Sequence, residues 1–125
     1  MAGAVVKIVI PGKPISKDNE KRGAAWHGKH FTRRANRRFE SLCLMYAQEQ
    51  YSGKPLKGDL RVDIDFYFPD KRRCDLFNAP KSVCDALNKC VWEDDKQIVD
   101  GRLRVFYDKD NPRLELTARA LNVQR

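Results

Sequence analysis

One segment of the chain alternates strictly between apolar and polar side chains, and this pattern constrains the fold most. Successive side chains of a β-strand point to opposite faces of its sheet. In residues 60–69, "LRVDIDFYFP", Asp63 and Asp65 fall on one side. The apolar residues on the other side are Val62, Ile64, Phe66 and Phe68. The pattern predicts a strand in a sheet that has one buried face and one polar face.

Three other segments have the composition of strands. Residues 4–10, "AVVKIVI", are rich in the β-branched side chains that strands favour. Near the end of the chain, "KQIVDGRLRVFYDKD" and "PRLELTARAL" flank the turn residues "DKDNP". We therefore predict a hairpin between the last two strands.

Two segments between these strands have helical patterns. Thr32 can cap a helix that runs from about residue 33 to 51. A second helix begins at Asn78 or Ala79, accepts Pro80 in its first turn and ends near Lys89. The apolar face predicted for the first helix comprises Ala35, Phe39, Leu42, Cys43, Met45 and Tyr46. The buried stripe predicted for the second comprises Val83, Ala86, Leu87 and Cys90.

The predicted order of elements is β-α-β-α-β-β. This order indicates an α+β fold of two layers, in which a mixed sheet carries both helices. A chain of 125 residues is long enough for one core, so we expect a single domain over residues 1–125.

The composition favours a cytoplasmic protein. No apolar run approaches the ~18 residues of a membrane span, and the apolar N-terminal stretch lacks the flanks of a signal peptide. The cysteines contain no C-x-x-C pair, so we expect free thiols in a reducing compartment and no structural zinc site. They are Cys43, Cys74, Cys84 and Cys90.

Positive charge is concentrated in the first third of the chain. Residues 1–38 hold 10 Lys and Arg against 2 Asp and Glu, whereas the remaining residues hold 15 of each kind. Such a surface suits a polyanion, most simply nucleic acid, although solubility charge is the alternative. Cations near a helix N-terminus oppose the macrodipole, so arginines at the start of the first helix suggest phosphate binding rather than mere exposure to solvent. They are Arg33, Arg34, Arg37 and Arg38.

Acidic residues flank the second helix. Asp75 precedes it, and Glu93, Asp94 and Asp95 follow it in "VWEDDKQIVD". Carboxylates that hold Mg²⁺ can activate water for phosphodiester cleavage, and Lys81 can offset charge on the phosphate. A helix of about eleven residues is ~16 Å long, so both ends serve one ion only if the loops fold back. The alternative is a solvated acidic turn.

The stretch "PDKRRCDLFNAPKSVCDALNKCVWEDDKQIVD" resembles the RusA-type Holliday junction resolvases, whose motif is R-x-D-x-D-N-x-x-K, then D-A-L, then D-D-x-Q-[IV]. Matching offsets are held by Asp75, Asn78, Lys81, Asp85-Ala86-Leu87, Asp94-Asp95 and Gln97-Ile98. The opening "IVIPGKPISKDN" and the closing "RLELTARAL" also resemble the family, so the resemblance covers nearly the whole chain.

The resemblance implies a homodimeric Mg²⁺-dependent endonuclease that binds four-way DNA junctions and resolves them by paired nicks. Asp75, Asp94 and Asp95 would be metal ligands, and Asp75, Lys81 and Asp95 would be catalytic. The same stretch adds Arg72, Arg73 and Asn78 to the predicted DNA contacts.

One position departs from the family pattern, because Phe77 stands where the family has its second motif aspartate. Asp65 or Asp85 can substitute as a ligand, or the metal site can be weak. A junction-binding protein with little or no cleavage is therefore the alternative. A basic RNA-binding domain is a third possibility, but it calls for exposed aromatic side chains along a sheet, and Phe66 and Phe68 have the pattern of core residues.

Overall fold

The computed structural model describes residues 4–14, 28–71 and 79–121, with the side chains of the first helix from Arg37 onwards. The strands are β1 Val5–Pro11, β2 Leu60–Phe68, β3 Ile98–Tyr107 and β4 Arg113–Ala120. The helices are α1 Gly28–Gln50 and α2 Pro80–Leu87, and a 3-10 turn spans Asp95–Gln97. This order and the mixed four-stranded sheet confirm the predicted α+β fold. No helix in the described segments is both long and apolar enough to cross a membrane.

The order of strands across the sheet is β1-β4-β2-β3. β3 runs parallel to β2, whereas β4 is antiparallel to both β1 and β2. The predicted hairpin between the last two strands is therefore wrong, because β2 lies between them. Turn residues predict a tight reversal of the chain, but they do not reveal which strand becomes the neighbour.

The loop between β3 and β4 crosses the end of β2. The Asp108 amide donates a hydrogen bond of 2.8 Å to the Phe68 carbonyl. The Asp108 carboxylate accepts hydrogen bonds from the Asn111 amide at 3.1 Å and from the Arg113 guanidinium at 2.9 Å. These contacts hold the crossing loop on the last residue of β2.

One face of the sheet forms the core, as the alternation in residues 60–69 predicted. Ile64 pairs with Leu116, which pairs in turn with Ile8, and each is 1% exposed. The helices contribute Phe39, Cys43, Ala47, Val83 and Leu87 to this core. The opposite face carries the polar side chains of the strands.

The first helix differs from its prediction at its start and on one flank. It begins at Gly28, so Thr32 lies inside it and is not its N-cap. No proline lies between Gly28 and Thr32, so the helix can extend upstream of Thr32. Leu42 and Met45 are each 43% exposed, which corrects their assignment to the buried face. Their spacing fits the edge of an apolar stripe, but the sheet covers only the side with Phe39 and Cys43.

Three cysteines lie within the described residues, and all three are free thiols. Burial raises the pKa of Cys43 and Cys84 to about 12, and it also raises that of Cys90. These side chains therefore stay protonated at neutral pH and pack as small apolar groups. Cys74 lies outside the described residues.

Candidate active site

The chain reverses direction directly after α2. Lys89 has a φ of 71°, the left-handed conformation that ends many helices. Its amide donates a 2.6 Å hydrogen bond to the Trp92 carbonyl, and the Trp92 indole donates one of 2.8 Å to the Asn88 side chain. The residues after Trp92 are thereby directed back along the helix.

Trp92 anchors this reversal in the core. Its side chain is fully buried and is the largest such side chain among the described residues. Its backbone forms a bridge with Leu56, whose amide donates a 2.7 Å hydrogen bond to the Val91 carbonyl. The tryptophan thus fixes the start of the acidic turn against the segment that follows α1.

A capping box then fixes the backbone of the two aspartates. The Asp94 carboxylate accepts a 2.9 Å hydrogen bond from the Lys96 amide. The Gln97 side chain accepts one of 2.9 Å from the Asp94 amide. These reciprocal bonds hold Asp94 and Asp95 at the start of the 3-10 turn.

Asp95 interacts electrostatically with side chains of α2. Burial raises the pKa of Asp95, and the neighbouring carboxylates of Asp94 and Asp85 raise it further. The charges of Asp95 and Asp85 also add to the burial that raises the pKa of Cys84. The acidic turn is therefore electrostatically coupled to α2.

Asp94 behaves in the opposite way from its neighbour. The hydrogen bond from the Lys96 amide lowers the pKa of Asp94, and a side-chain hydrogen bond with Asp95 acts in the same direction. The pair therefore favours an ionised Asp94 beside an Asp95 that holds its proton more tightly. A bound cation would relieve this repulsion.

The exposed face of α2 borders the aspartates. Lys81 and Asp85 are both exposed and lie one helical turn apart, on the same face. Asp85 contributes to the raised pKa of Asp95, and Lys81 shares the face of α2 that carries Asp85. The described candidate residues are thus Lys81, Asp85, Asp94 and Asp95.

The family model of the endodeoxyribonuclease RusA matches residues 11–119. The chain belongs to this family. The match includes both ends of the acidic motif, Asp75 and Asp95, and it confirms the resemblance that the sequence showed.

Individual RusA relatives match a shorter region. The crossover junction endodeoxyribonuclease RusA of Escherichia coli (strain K12) is 42% identical over 59 residues, which are 46% of this chain and 49% of the relative. The protein of the same name from Enterobacteria phage 82 gives the same identity and coverage. The matched region therefore spans about half the length of these relatives. The uncharacterized protein YqaN of Bacillus subtilis (strain 168) is 24% identical over 140 aligned positions, covering 94% of this chain and 97% of YqaN.

The position of Asp65 bears on which acid could replace the missing RusA aspartate. Asp65 lies on the face of the sheet opposite the helices. Its two carboxylate oxygens accept hydrogen bonds of 2.8 and 2.9 Å from Arg104. This placement favours Asp85 over Asp65 as a substitute ligand.

Several predicted RusA site residues lie outside the described residues. They are Arg72, Arg73, Asp75 and Asn78, and Phe77 lies there as well. The side chains of Arg33 and Arg34 are likewise not described. Their roles stay predictions.

The described carboxylates do not complete a metal site by themselves. Across residues 4–14, 28–71 and 79–121, no three Asp, Glu, His or Cys side chains are placed to hold a metal ion. The oxygen donors of Asp94 and Asp95 suit Mg²⁺, and their mutual repulsion suits a cation. A metal ion here would need a further donor, and the resemblance to the RusA motif suggests Asp75, which precedes α2 in the sequence.

Two of the predicted DNA-binding arginines are described, and both are exposed on α1. Arg37 and Arg38 line a cleft of about 520 Å³ together with Ser41, Leu42 and Met45. Because α1 begins at Gly28, these arginines lie in its third turn. The macrodipole acts mainly on the first turn, so it gives no argument for phosphate binding by these two arginines. Their proposed role in DNA binding is supported by their exposure instead.

Gln97 has contacts that we did not predict from the sequence. Besides its bond to Asp94, its side chain donates hydrogen bonds of 2.9 Å to the carbonyls of Leu56 and Gly58. The spacing Asp94-x-x-Gln97 is that of a capping box, and this signal could have revealed the first contact. No local pattern indicates the other two, because the segments are about forty residues apart.

Proposed function

We propose that this protein is a Mg²⁺-dependent endodeoxyribonuclease that binds four-way DNA junctions and resolves them by paired nicks. Its membership of the RusA family supports this function. The observation that carries the proposal is the acidic turn with Asp94 and Asp95, whose backbone is held by Trp92 and by a capping box. A solvated acidic turn would not need a buried tryptophan and a capping box to fix its backbone.

In this proposal, Asp75, Asp94 and Asp95 hold the metal ion. Bound Mg²⁺ supplies Lewis-acid chemistry, polarising the phosphate and activating water. Asp94 is suited to stay ionised, because the Lys96 amide hydrogen-bonds its carboxylate and lowers its pKa. Lys81 would approach the phosphate from the exposed face of α2 and offset the negative charge that develops on its oxygens.

The DNA would be held by basic residues of α1 and of the segment that precedes α2 in the sequence. Arg37 and Arg38 are exposed on α1, and Arg33, Arg34, Arg72, Arg73 and Asn78 are further proposed contacts. Two nicks on strands of like polarity call for two active sites related by a two-fold axis, so we propose a homodimer. A cytoplasmic location stays a prediction.

The second candidate function is junction binding with weak or absent cleavage. Phe77 favours it, because phenylalanine cannot ligate a metal where the family motif has an aspartate. An RNA-binding domain has less support. Tyr67 and Phe106 stack on the polar face of the sheet with ring centroids 5.0 Å apart. The guanidinium carbon of Arg113 lies 3.7 Å from the centroid of the Tyr67 ring. It occupies the ring face on which a base would have to stack.

A labelled four-way junction separates these functions. We expect symmetric nicks with Mg²⁺ and none with EDTA. Asp75→Asn and Asp95→Asn should each abolish cleavage while junction binding is kept or strengthened, because each loses a metal ligand and a charge that repels phosphate. Glu93→Gln is the matched control, since Glu93 is exposed and pairs with Lys89 at 3.2 Å, and it should cleave as the wild type does.

Two results would count against the enzyme. A shifted but intact junction in Mg²⁺ supports the binding protein instead. Loss of both binding and cleavage in folded Asp95→Asn would make this residue structural.

A further inference from the structure

The Gln97 side chain joins two parts of the chain that meet at the acidic turn. Its carbonyl oxygen accepts from the Asp94 amide, and its amide nitrogen donates to the carbonyls of Leu56 and Gly58, each at 2.9 Å. One half-buried side chain thus uses both of its polar ends on backbone atoms of two segments. A glutamine amide offers this combination, because it carries an acceptor and two N–H donors.

The segment that receives these bonds is itself fixed. Leu56 is 7% exposed and bridges to Trp92, and its amide is bonded to Val91. The tether from Gln97 therefore ends on backbone that is packed into the core. Trp92 holds the acidic turn from its N-terminal side, and Gln97 holds it from its C-terminal side.

Asp95 lies between these two anchors. The placement of this turn on the protein depends on how closely it is held from outside, because the capping bond between Asp94 and the Lys96 amide acts only within the turn. We propose that Gln97 is a positioning residue, which sets the place of Asp94 and Asp95 and thereby the affinity of the site for Mg²⁺. This inference rests on the proposed metal-dependent function.

The experiment compares the same substitution at two glutamines. Gln97→Met removes all three hydrogen bonds while keeping a side chain of similar length. Gln50→Met is the matched control, because Gln50 also makes two backbone bonds, with the amide and the carbonyl of Val9, each 2.7 Å long. Val9 lies on β1, at the edge of the sheet opposite β3. Both variants lose backbone tethers, but only one loses them at the acidic turn.

We expect the Mg²⁺ concentration for half-maximal junction cleavage to rise roughly 10- to 100-fold in Gln97→Met, the range typical for groups that orient metal ligands. Junction affinity measured in EDTA should stay as in the wild type, because the Gln97 side chain is engaged with backbone atoms of the protein itself. Gln50→Met should keep the wild-type Mg²⁺ dependence. If both variants or neither shift this dependence, the inference is wrong.

A second measurement needs no metal and no activity. In the metal-free protein, hydrogen exchange of the Asp94 amide should be at least about tenfold faster in Gln97→Met and unchanged in Gln50→Met. An equally protected Asp94 amide in Gln97→Met would overturn the inference even if the protein cleaves junctions. A wild type that never cleaves, with the expected change in exchange, would instead refute the proposed function and leave the tether established. Should Gln97→Met fail to fold, Gln97→Asn is measured in its place, since its shorter amide cannot make all three bonds.

Discussion

At the scale of single residues, Trp92 explains why three adjacent acids follow a large aromatic side chain. The indole is buried and its N–H is bonded to Asn88, so the tryptophan supplies apolar burial that offsets the repulsion in the turn. Burying an aromatic side chain contributes about 2–3 kcal/mol, whereas exposed charge pairs contribute less than about 1 kcal/mol. The burial of Trp92 can therefore hold the turn in place even though the adjacent carboxylates still repel one another.

Phe77 is the residue at which this chain departs from its family motif. Phe77→Asp should tighten Mg²⁺ binding, because it adds an anionic oxygen donor where the family motif has one. If a weak metal site limits the protein, cleavage should rise as well. Titration calorimetry and junction cleavage measure the two effects.

The competing effect of Phe77→Asp is loss of packing. If Phe77 is buried, truncation costs about 3–5 kcal/mol, which thermal melting without metal would detect. A folded variant with unchanged Mg²⁺ affinity would mean that Asp85 already serves as the ligand or that position 77 faces elsewhere.

At the scale of elements, the end of α2 depends on one unfavourable backbone conformation. Lys89 has a φ of 71°, which costs a residue with a side chain about 1 kcal/mol. Lys89→Gly should therefore stabilise the protein by up to about 1 kcal/mol, measured by urea unfolding. Lys89→Ala is the control, since it also loses the exposed ion pair with Glu93 but keeps the strained φ. A glycine variant no more stable than the alanine variant would contradict this account.

The crossing loop between β3 and β4 should make stability depend on pH. Arg113 and the amide of Asn111 stabilise the charged Asp108 side chain and lower its pKa. The folded state therefore gains stability above the usual carboxyl pKa and loses it as the pH falls through the lowered value. Asp108→Asn should be less stable than the wild type at neutral pH, and the difference should shrink as the pH falls through the lowered pKa of Asp108. Asp110→Asn, in the same loop, should show neither effect in urea unfolding at neutral and at acidic pH.

Local patterns predicted the elements, whereas their arrangement depended on distant contacts. The alternation in β2 predicted its buried face, and the apolar spacing of α2 predicted Val83 and Leu87 in the core. The hairpin failed because the neighbour of β4 is decided by the whole sheet. The prediction that Leu42 and Met45 are buried was wrong because periodicity does not show how wide a face of the helix the sheet covers. At the site, sequence spacing marked Asp94 and Asp95, but only the fold showed that Asp65 lies on the face of the sheet away from α2 and pairs with Arg104.

At the scale of the whole molecule, charge should decide how DNA is held. Replacing both Arg37 and Arg38 by Gln should weaken junction binding and lower the slope of log affinity against log salt by about 2. The matched control replaces Arg102 and Arg119, which are exposed on the polar face of the sheet. Fluorescence anisotropy across a salt series gives both slopes. A larger change in the control pair would place the DNA on the sheet rather than on α1.

The central place of β4 has a consequence for how the molecule is made. β4 is the last strand in the chain, yet it lies between β1 and β2, and its register joins Arg119 to Val5. During synthesis, β1 emerges from the ribosome long before its partner exists, and β2 can pair with β3 but not complete the sheet. Contacts between residues this far apart in the chain also make folding slow. The nascent protein therefore carries an open sheet edge until β4 is translated, and this is the interval in which it depends most on chaperones.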